Sequence, residues 1–234
     1  MSPEQEPELL LVFQALEPTG AKRFDWRHPE VRRAQSSAAR VALSRAAEAA
    51  AAPADTWGSH PAGGLAPRTD ASGRTWYASL SHARQGAVAA LLPNGPVGVD
   101  LERIDRPRPL HVGDKLAELG ASRTALDDPR QLISLWTRVE ALLKRERVGL
   151  PGWTRIHIPD AVPLTGEANL TFDGEPRWTH VQSLGEFWLA CAAAGPCQSR
   201  LLPAVAALRL GPPKGPSTAP PTPVDAPPSD APGS

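Results

Sequence analysis

Two short apolar runs separated by a tight turn constrain the fold of this chain most strongly. Residues 87–92 are uninterruptedly apolar, residues 93–96 read Pro-Asn-Gly-Pro, and polar or small residues alternate with Val97, Val99 and Leu101 in the second run. An Asn-Gly pair between two apolar runs is typical of a β-hairpin. The sequence therefore predicts that these two runs pair as antiparallel strands.

The remaining segments alternate irregularly between strand-like and helix-like patterns. Residues 53–75 are rich in Gly, Pro, Ser and Asp, which predicts a loop with at most a short strand. Because no tandem βαβ spacing is present, we expect an α+β fold. The predicted elements are an opening strand over 8–16, a helix over 29–52, a helix from Pro129 to about Arg147, and strands over 154–158, 169–172 and 186–193.

The second of these helices has clear boundary signals. Asp128 is a good N-cap, Pro129 suits the first helical position, and Gly149 can end the helix. Residues 211–234 contain nine prolines among small and polar residues, which indicates a disordered tail. We therefore expect the folded part to end near Leu210.

Charge and cysteine content exclude several classes of function. Lys plus Arg equals Asp plus Glu at 25 each, so no overall field attracts nucleic acid or an anionic membrane. The chain has neither a secretory signal pattern nor an apolar stretch near the ~20 residues that cross a bilayer, and we expect a cytoplasmic protein. Cys191 and Cys197 form no zinc signature, and a buried free thiol is the better interpretation of Cys191.

Three carboxylates form the first candidate site. Asp100 and Glu102 point to one face of the second predicted strand, about 6.5 Å apart, and Glu140 lies on the later helix. Mg²⁺ prefers such oxygen ligands, and Gly98 on the same face could leave room for a bulky ligand. The alternative is a solvent-facing strand, with Glu140 paired to Lys144 on the helix surface. In either case a strand-end carboxylate such as Asp100 is expected outside the core.

Basic and hydroxyl side chains form the second candidate. Ser81 and His82 precede the predicted hairpin and can hydrogen-bond to phosphate oxygens, but neighbouring strand residues point to opposite faces, which disfavours a hydrolase pair. A structural role for His82 is the alternative. The first helix carries four arginines that form either a solvated face or a cationic lid over an anionic ligand: Arg32, Arg33, Arg40 and Arg45.

These motifs together resemble the Sfp-type branch of the 4′-phosphopantetheinyl transferase superfamily. The family motifs appear in order as Ser81-His82, as the strand Gly98-Val99-Asp100-Leu101-Glu102, and as the helical segment from Trp136 through Glu140 to Lys144. The resemblance covers roughly residues 8 to 200 and extends to Gly149-Leu150. It implies two similar α+β halves related by a pseudo-twofold axis, which we assign to residues 1–94 and 95–210. Coenzyme A would lie between them, near Asn94-Gly95.

The resemblance also implies an activity and residue roles. The enzyme would transfer the phosphopantetheine arm of coenzyme A to a serine of an acyl or peptidyl carrier protein, releasing adenosine 3′,5′-bisphosphate. Asp100, Glu102 and Glu140 would hold Mg²⁺, although Glu140 could instead deprotonate the carrier serine. Lys144 would meet the pyrophosphate. Four further residues match the family's nucleotide-phosphate positions or nearby basic positions: Arg40 and His82 with Ser81 beside them, and Arg33 and Arg74.

One departure from the family pattern keeps other functions open. Val139 stands where the family has a lysine before the helical glutamate. If that lysine assists proton transfer or holds phosphate, its loss removes a charge from the reaction centre. Arg138 does not replace it simply, because neighbouring helix residues point about 100° apart. The alternatives are a non-catalytic relative that binds coenzyme A or a carrier, and a Mg²⁺-dependent phosphohydrolase. A chain that contains both halves of its cleft is expected to act as a monomer.

Overall fold

The computed structural model describes residues 7–18, 29–53, 57–83, 85–105, 111–202 and 208–210. The Pro-rich segment 211–234, expected to be disordered, lies outside these residues. In chain order the elements are β1 (Glu8–Pro18), α1 (Pro29–Ala50), β2 (Arg68–Thr69), β3 (Thr75–Ala83), β4 (Gly86–Pro93), β5 (Gly98–Arg103), α2 (Val112–Glu118), α3 (Arg123–Asp127), α4 (Pro129–Glu146), a 3₁₀ helix (Leu150–Arg155), β6 (Ile156–His157), β7 (Gly166–Phe172), β8 (Glu175–Leu184), β9 (Phe187–Ala193), β10 (Gln198–Leu202) and β11 (Leu208–Leu210).

Two sheets and five helices make the described chain a mixed α+β fold. The first sheet has the strand order β10-β1-β4-β3-β2, with β11 also paired to β1. The second sheet has the order β5-β9-β8-β7-β6. The boundary placed at residue 94 falls between β4 and β5, but β10 and β11 return to the first sheet and pair in parallel with β1.

The hairpin predicted across Asn94-Gly95 is wrong. β4 pairs with β1 and β3, whereas β5 pairs with β9 and starts the second sheet. Asn94 does adopt the left-handed conformation that suits a turn, with φ 58°. The turn therefore carries the chain from one sheet to the other, and the true hairpin joins β3 to β4.

Small side chains bring α1 close to the first sheet. Alanines on one face of the helix are fully or almost fully buried, and they pack near Ala87 and Ala89 of β4. Alanine favours helix and leaves little distance between helix and strand backbones. The predicted helix over 29–52 is confirmed with its end at Ala50.

The packing of α4 on the second sheet depends on Gly98. A methyl group at Gly98 would lie 1.8 Å from the Ala141 carbonyl oxygen and 2.6 Å from the Arg145 nitrogen. The sequence suggested that Gly98 leaves room for a ligand, and this expectation is wrong. Gly98 instead lets the helix backbone touch the strand.

The ends of α4 agree only partly with the sequence. Asp128 caps the start, and its side chain accepts a hydrogen bond from the Arg130 amide at 2.9 Å. The helix ends at Glu146, followed by Arg147 with φ 57° and ψ 30°. The expected terminator, Gly149, instead precedes the 3₁₀ helix. A non-glycine residue thus occupies the left-handed position.

Of the remaining strand predictions, three are confirmed and one is mostly wrong. The opening strand and those over 169–172 and 186–193 are confirmed, with somewhat different ends. Most of the predicted strand over 154–158 is wrong, because residues 150–155 form the 3₁₀ helix and only Ile156–His157 pair as a strand. The long strand β8 and the edge strand β10 were not predicted. Cys191 and Cys197 are both buried, and neither forms a disulfide. None of the described helices is long and apolar enough to cross a membrane.

Candidate functional site

The three predicted carboxylates come together between β5 and α4. Each of Asp100, Glu102 and Glu140 offers one oxygen, and these oxygens all lie within 4.8 Å of one another. Asp100 is 2% exposed and Glu102 is 9% exposed, so the strand does not face solvent. The expectation that Asp100 lies outside the core is wrong, because α4 covers this face of β5.

Two polar groups hold one oxygen of Asp100. Lys144 Nζ donates to Asp100 Oδ1 at 2.7 Å, and Ser81 Oγ donates to the same oxygen at 2.8 Å. Lys144 also donates to Ser81 Oγ at 2.8 Å, which closes a three-membered network. Charge-assisted bonds of this kind are stronger than neutral ones. The network joins β3 of the first sheet to β5 and α4 of the second.

The other oxygen of Asp100 is buried without a hydrogen-bond partner in the described chain. Leaving a buried carboxylate oxygen unsatisfied is costly, unless a ligand completes its coordination. Glu102 and Glu140 each supply an oxygen beside the Asp100 carboxylate. Oxygen-only ligand sets suit hard divalent cations such as Mg²⁺, so the residues present fit this metal.

A cavity of about 590 Å³ opens beside Glu140, one of the three carboxylates. Its walls come from α1, the 59–65 loop, β3, Val97 and the C-terminal half of α4 with the residues that follow. The charged residues in its lining are Arg40, Glu140, Lys144 and Arg147. Because three of these four are positive, the cavity favours an anionic ligand.

The structure separates the predicted phosphate-binding residues into three groups. Arg40 lines the cavity, and it also borders a second recess that contains Arg33. His82 is exposed on the strand face opposite Ser81, which confirms that the two are not a nucleophile and base pair. Arg74 is outside the cavity lining and lies over the Trp76 ring at 5.6 Å.

His82 nevertheless lies in the electrostatic field of the site. Its pKa lies below the usual histidine value, first because of desolvation and second because of the positive charge of Lys144. Arg32 lowers the pKa further, while Asp100 opposes the shift. The surroundings therefore favour a neutral imidazole, which can still donate a hydrogen bond to an anion.

Val139, which stands where the family has a lysine, does not line the cavity. The side chain is 0% exposed and packs in the core between α4 and the second sheet. Arg138 points elsewhere and is also 0% exposed, donating to Thr179 and to the carbonyl oxygens of Pro163 and Gly166. Desolvation lowers the pKa of Arg138 to about 10. Both residues support the fold and do not line the cavity.

Two features of the site were missed by reasoning from sequence. The hydrogen bonds of Ser81 to Asp100 and Lys144 span 19 and 63 residues, so no local pattern could reveal them. Arg147 was overlooked because Gly149 offers the stronger helix-end signal. A search for cations one turn beyond Lys144 would have found Arg147.

The sequence matches no protein-family model, and a search of curated proteins finds no match. The function is therefore inferred from the geometry of the site.

Proposed function

We propose that this protein is a Mg²⁺-dependent 4′-phosphopantetheinyl transferase that uses coenzyme A to modify a serine of an acyl or peptidyl carrier protein. One observation carries the proposal. The buried Asp100 carboxylate, one oxygen of which has no partner in the described chain, lies beside Glu102 and Glu140, and Glu140 also lines a cavity rich in positive charge. This arrangement suits a metal-bound pyrophosphate.

The order of strands supports the two-halved architecture of this family. Along the chain, the first sheet is built from a strand, a long helix and then strands that include a hairpin, and in space its strands have the order β1-β4-β3-β2. The second sheet repeats the pattern as β5-β9-β8-β7, with α4 in the place of α1. We propose that the two units are related by a pseudo-twofold axis. Because one chain supplies both walls of the cavity, a monomer would be sufficient for activity.

The proposed reaction assigns each polar group a task. The carrier serine oxygen attacks the phosphorus that bears the pantetheine arm, and the bond from that phosphorus to the bridging oxygen breaks. Adenosine 3′,5′-bisphosphate leaves with that oxygen. Glu140, which lines the cavity, accepts the serine proton. A metal held by Asp100, Glu102 and one oxygen of Glu140 would neutralise charge on the pyrophosphate, which leaves the second Glu140 oxygen to accept the proton.

The cationic residues bind and orient the substrate in this proposal. Lys144 is fixed by Asp100 and Ser81, and its partly exposed ammonium group can also meet a pyrophosphate oxygen. Arg40 reaches the cavity from α1, where a guanidinium can bind a nucleotide phosphate. Ser81 positions Asp100 and is not assigned a direct phosphate contact.

The direct test is a mass measurement on the carrier. Apo-carrier, coenzyme A and Mg²⁺ are incubated with the protein, and we expect the carrier to gain the mass of one phosphopantetheine arm. Glu140→Gln should reduce the rate at least 10²-fold, the lower end for loss of general acid–base catalysis. Arg123→Ala, a change in an exposed residue of α3, serves as the control with unchanged rate.

Other outcomes would identify the alternatives. Consumption of coenzyme A with no change in the carrier would indicate a phosphohydrolase. Binding of coenzyme A with no chemistry, across carriers of fatty-acid, polyketide and peptide synthesis, would indicate a non-catalytic relative. Either result would contradict the proposal.

A further inference from the structure

The residue that ends α4 combines an unusual backbone with a large charged side chain. Arg147 has φ 57° and ψ 30°, in the left-handed region where glycine is favoured. Its amide donates to the Lys144 carbonyl oxygen at 3.3 Å, which completes the helix end. A glycine would make the same backbone bond without strain. The helix end therefore explains the conformation but not the presence of arginine.

The side chain of Arg147 crosses the opening between the two sheets. Its guanidinium carbon lies 5.9 Å from the centre of the Tyr77 ring on β3. Stacking on an aromatic ring orients a guanidinium and leaves its N–H edges available. Among the described residues, no carboxylate lies within ion-pair distance of the Arg147 guanidinium. The charge is thus oriented but not neutralised.

The position of Arg147 places that charge in the cavity of the proposed active site. Arg147 and Lys144 both line the cavity from the last turn of α4. Lys144 is neutralised in part by Asp100, at 2.7 Å. Arg147 therefore contributes a positive charge that is not neutralised by an ion pair with a described carboxylate, and it does so in a cavity open to a ligand.

We propose that Arg147 is a phosphate-binding residue that gives the cavity affinity for an anionic ligand, at the expense of backbone strain. The inference rests on the proposed function and extends it by naming a substrate-binding residue outside the three sequence motifs. Coenzyme A offers two sources of phosphate, the pyrophosphate and the 3′-phosphate. Arg147 binds one of them through its guanidinium, while Tyr77 holds the guanidinium in place.

The test exploits the opposite effects expected on stability and on binding. Arg147→Gly removes the charge and relieves the backbone, so the melting temperature should stay the same or rise. The same variant should bind coenzyme A about tenfold more weakly, as measured by calorimetry with Mg²⁺. Arg147→Lys keeps the charge but not the planar guanidinium, so its affinity for coenzyme A should lie between those of the wild type and Arg147→Gly.

Two control variants separate charge from backbone. Ala51→Gly changes another left-handed residue, with φ 51°, outside the cavity lining, and it should leave binding unchanged. Arg123→Ala removes a positive charge from the exposed α3 helix and should also leave binding unchanged. A loss of affinity in either control equal to that in Arg147→Gly would overturn the assignment.

The choice of ligand distinguishes the source of the phosphate. If Arg147 binds the 3′-phosphate, Arg147→Gly should bind dephospho-coenzyme A as tightly as the wild type does. If it binds the pyrophosphate, the tenfold loss should appear with dephospho-coenzyme A and with inorganic pyrophosphate. Equal affinities of wild type and Arg147→Gly for all three ligands would overturn the inference. Absence of coenzyme A binding in the wild type would instead overturn the proposed function, and pyrophosphate would still test Arg147.

Discussion

The two sheets bring a long helix close by opposite means. In the first sheet the small residues are on the helix, where alanines of α1 face the alanines of β4. In the second sheet the helix α4 carries large apolar residues, and the close approach is made by a glycine on the strand, Gly98. The first contact is made through small side chains, whereas the second brings the α4 backbone directly against β5.

The difference matters because only the second contact positions polar groups. Asp100 lies two residues after Gly98 on β5. The contact of α4 with Gly98 therefore places Glu140 and Lys144 of the helix beside Asp100. The helix α1 contributes Arg40 to the cavity wall but no ligand to the carboxylate cluster. The direct backbone contact therefore coincides with the proposed reaction centre, and the contact through alanine side chains coincides with the wall that would bind the nucleotide.

The largest expected effect on stability comes from adding a methyl group at Gly98, where β5 touches the α4 backbone. Gly98→Ala would place a methyl group against the backbone of α4, which cannot move without displacing the helix. We expect a loss of at least about 3 kcal/mol in unfolding free energy, the upper range for overpacking. Urea denaturation followed by circular dichroism measures this loss.

A matched glycine exists in the first sheet. A methyl group at Gly86 would lie 2.7 Å from a ring carbon of Phe13, which is a side chain and can rotate away. Gly86→Ala should therefore cost only about 1 kcal/mol. Gly86 faces Leu101 of the second sheet and not α1, so the two variants compare a side-chain obstacle with a backbone obstacle. Equal losses would show that the α4 backbone yields as readily as a side chain.

The next effect concerns the serine that joins the two sheets at the site. Ser81→Ala removes the hydroxyl that donates to Asp100 Oδ1, so Asp100 should lose its orientation. We expect divalent metal affinity to fall about 10- to 100-fold, as is usual when a partner of a metal ligand is removed. Mn²⁺ titration followed by electron paramagnetic resonance measures the affinity.

Ser79 provides the control on the same strand face. Its hydroxyl oxygen accepts a hydrogen bond from the Val99 amide at 3.1 Å and does not touch the carboxylates. Ser79→Ala should lower stability by about 1–3 kcal/mol, because a buried amide loses its partner, while Mn²⁺ affinity stays unchanged. If both serine variants weakened Mn²⁺ binding equally, Ser81 would have only a structural role.

The smallest effect lies far from the site, in the turn before β3. The Asp70 carboxylate accepts hydrogen bonds from the Ser72 and Trp76 side chains, which lowers its pKa to about 2. A lowered pKa in the folded state contributes stability above the unfolded value of 3.8, and that contribution is lost as the pH falls towards 2. The difference in melting temperature between wild type and Asp70→Ala should therefore shrink between pH 4 and pH 2. A difference that stays constant over this window would contradict the assignment.

Local signals in the sequence were sufficient for part of the fold and much of the site. Asp128 and Pro129 mark the start of α4, and helical spacing places Glu140 and Lys144 on one stripe. Alternation along β5 places Asp100 and Glu102 on one face. These patterns depend only on neighbours in the chain, which is why they were readable.

The parts that failed depend on partners distant in sequence. The turn at Asn94 has the same local chemistry whether the next strand returns to β4 or leaves for another sheet. The decision is made by β9, about ninety residues later, which pairs along the whole of β5. The burial of Asp100 and the close approach at Gly98 likewise require α4 to be in place, so neither follows from the strand sequence alone.

The central claim is that Asp100, Glu102 and Glu140 form a divalent metal site. The most direct test is a Mn²⁺ titration of the wild type and of Asp100→Asn, which keeps the shape of the side chain and removes its charge. We expect one Mn²⁺ per wild-type chain and at least a 10²-fold loss of Mn²⁺ affinity in the variant, since a metal ligand contributes more than its partners do. Equal Mn²⁺ binding by both proteins, with both folded, would contradict the claim.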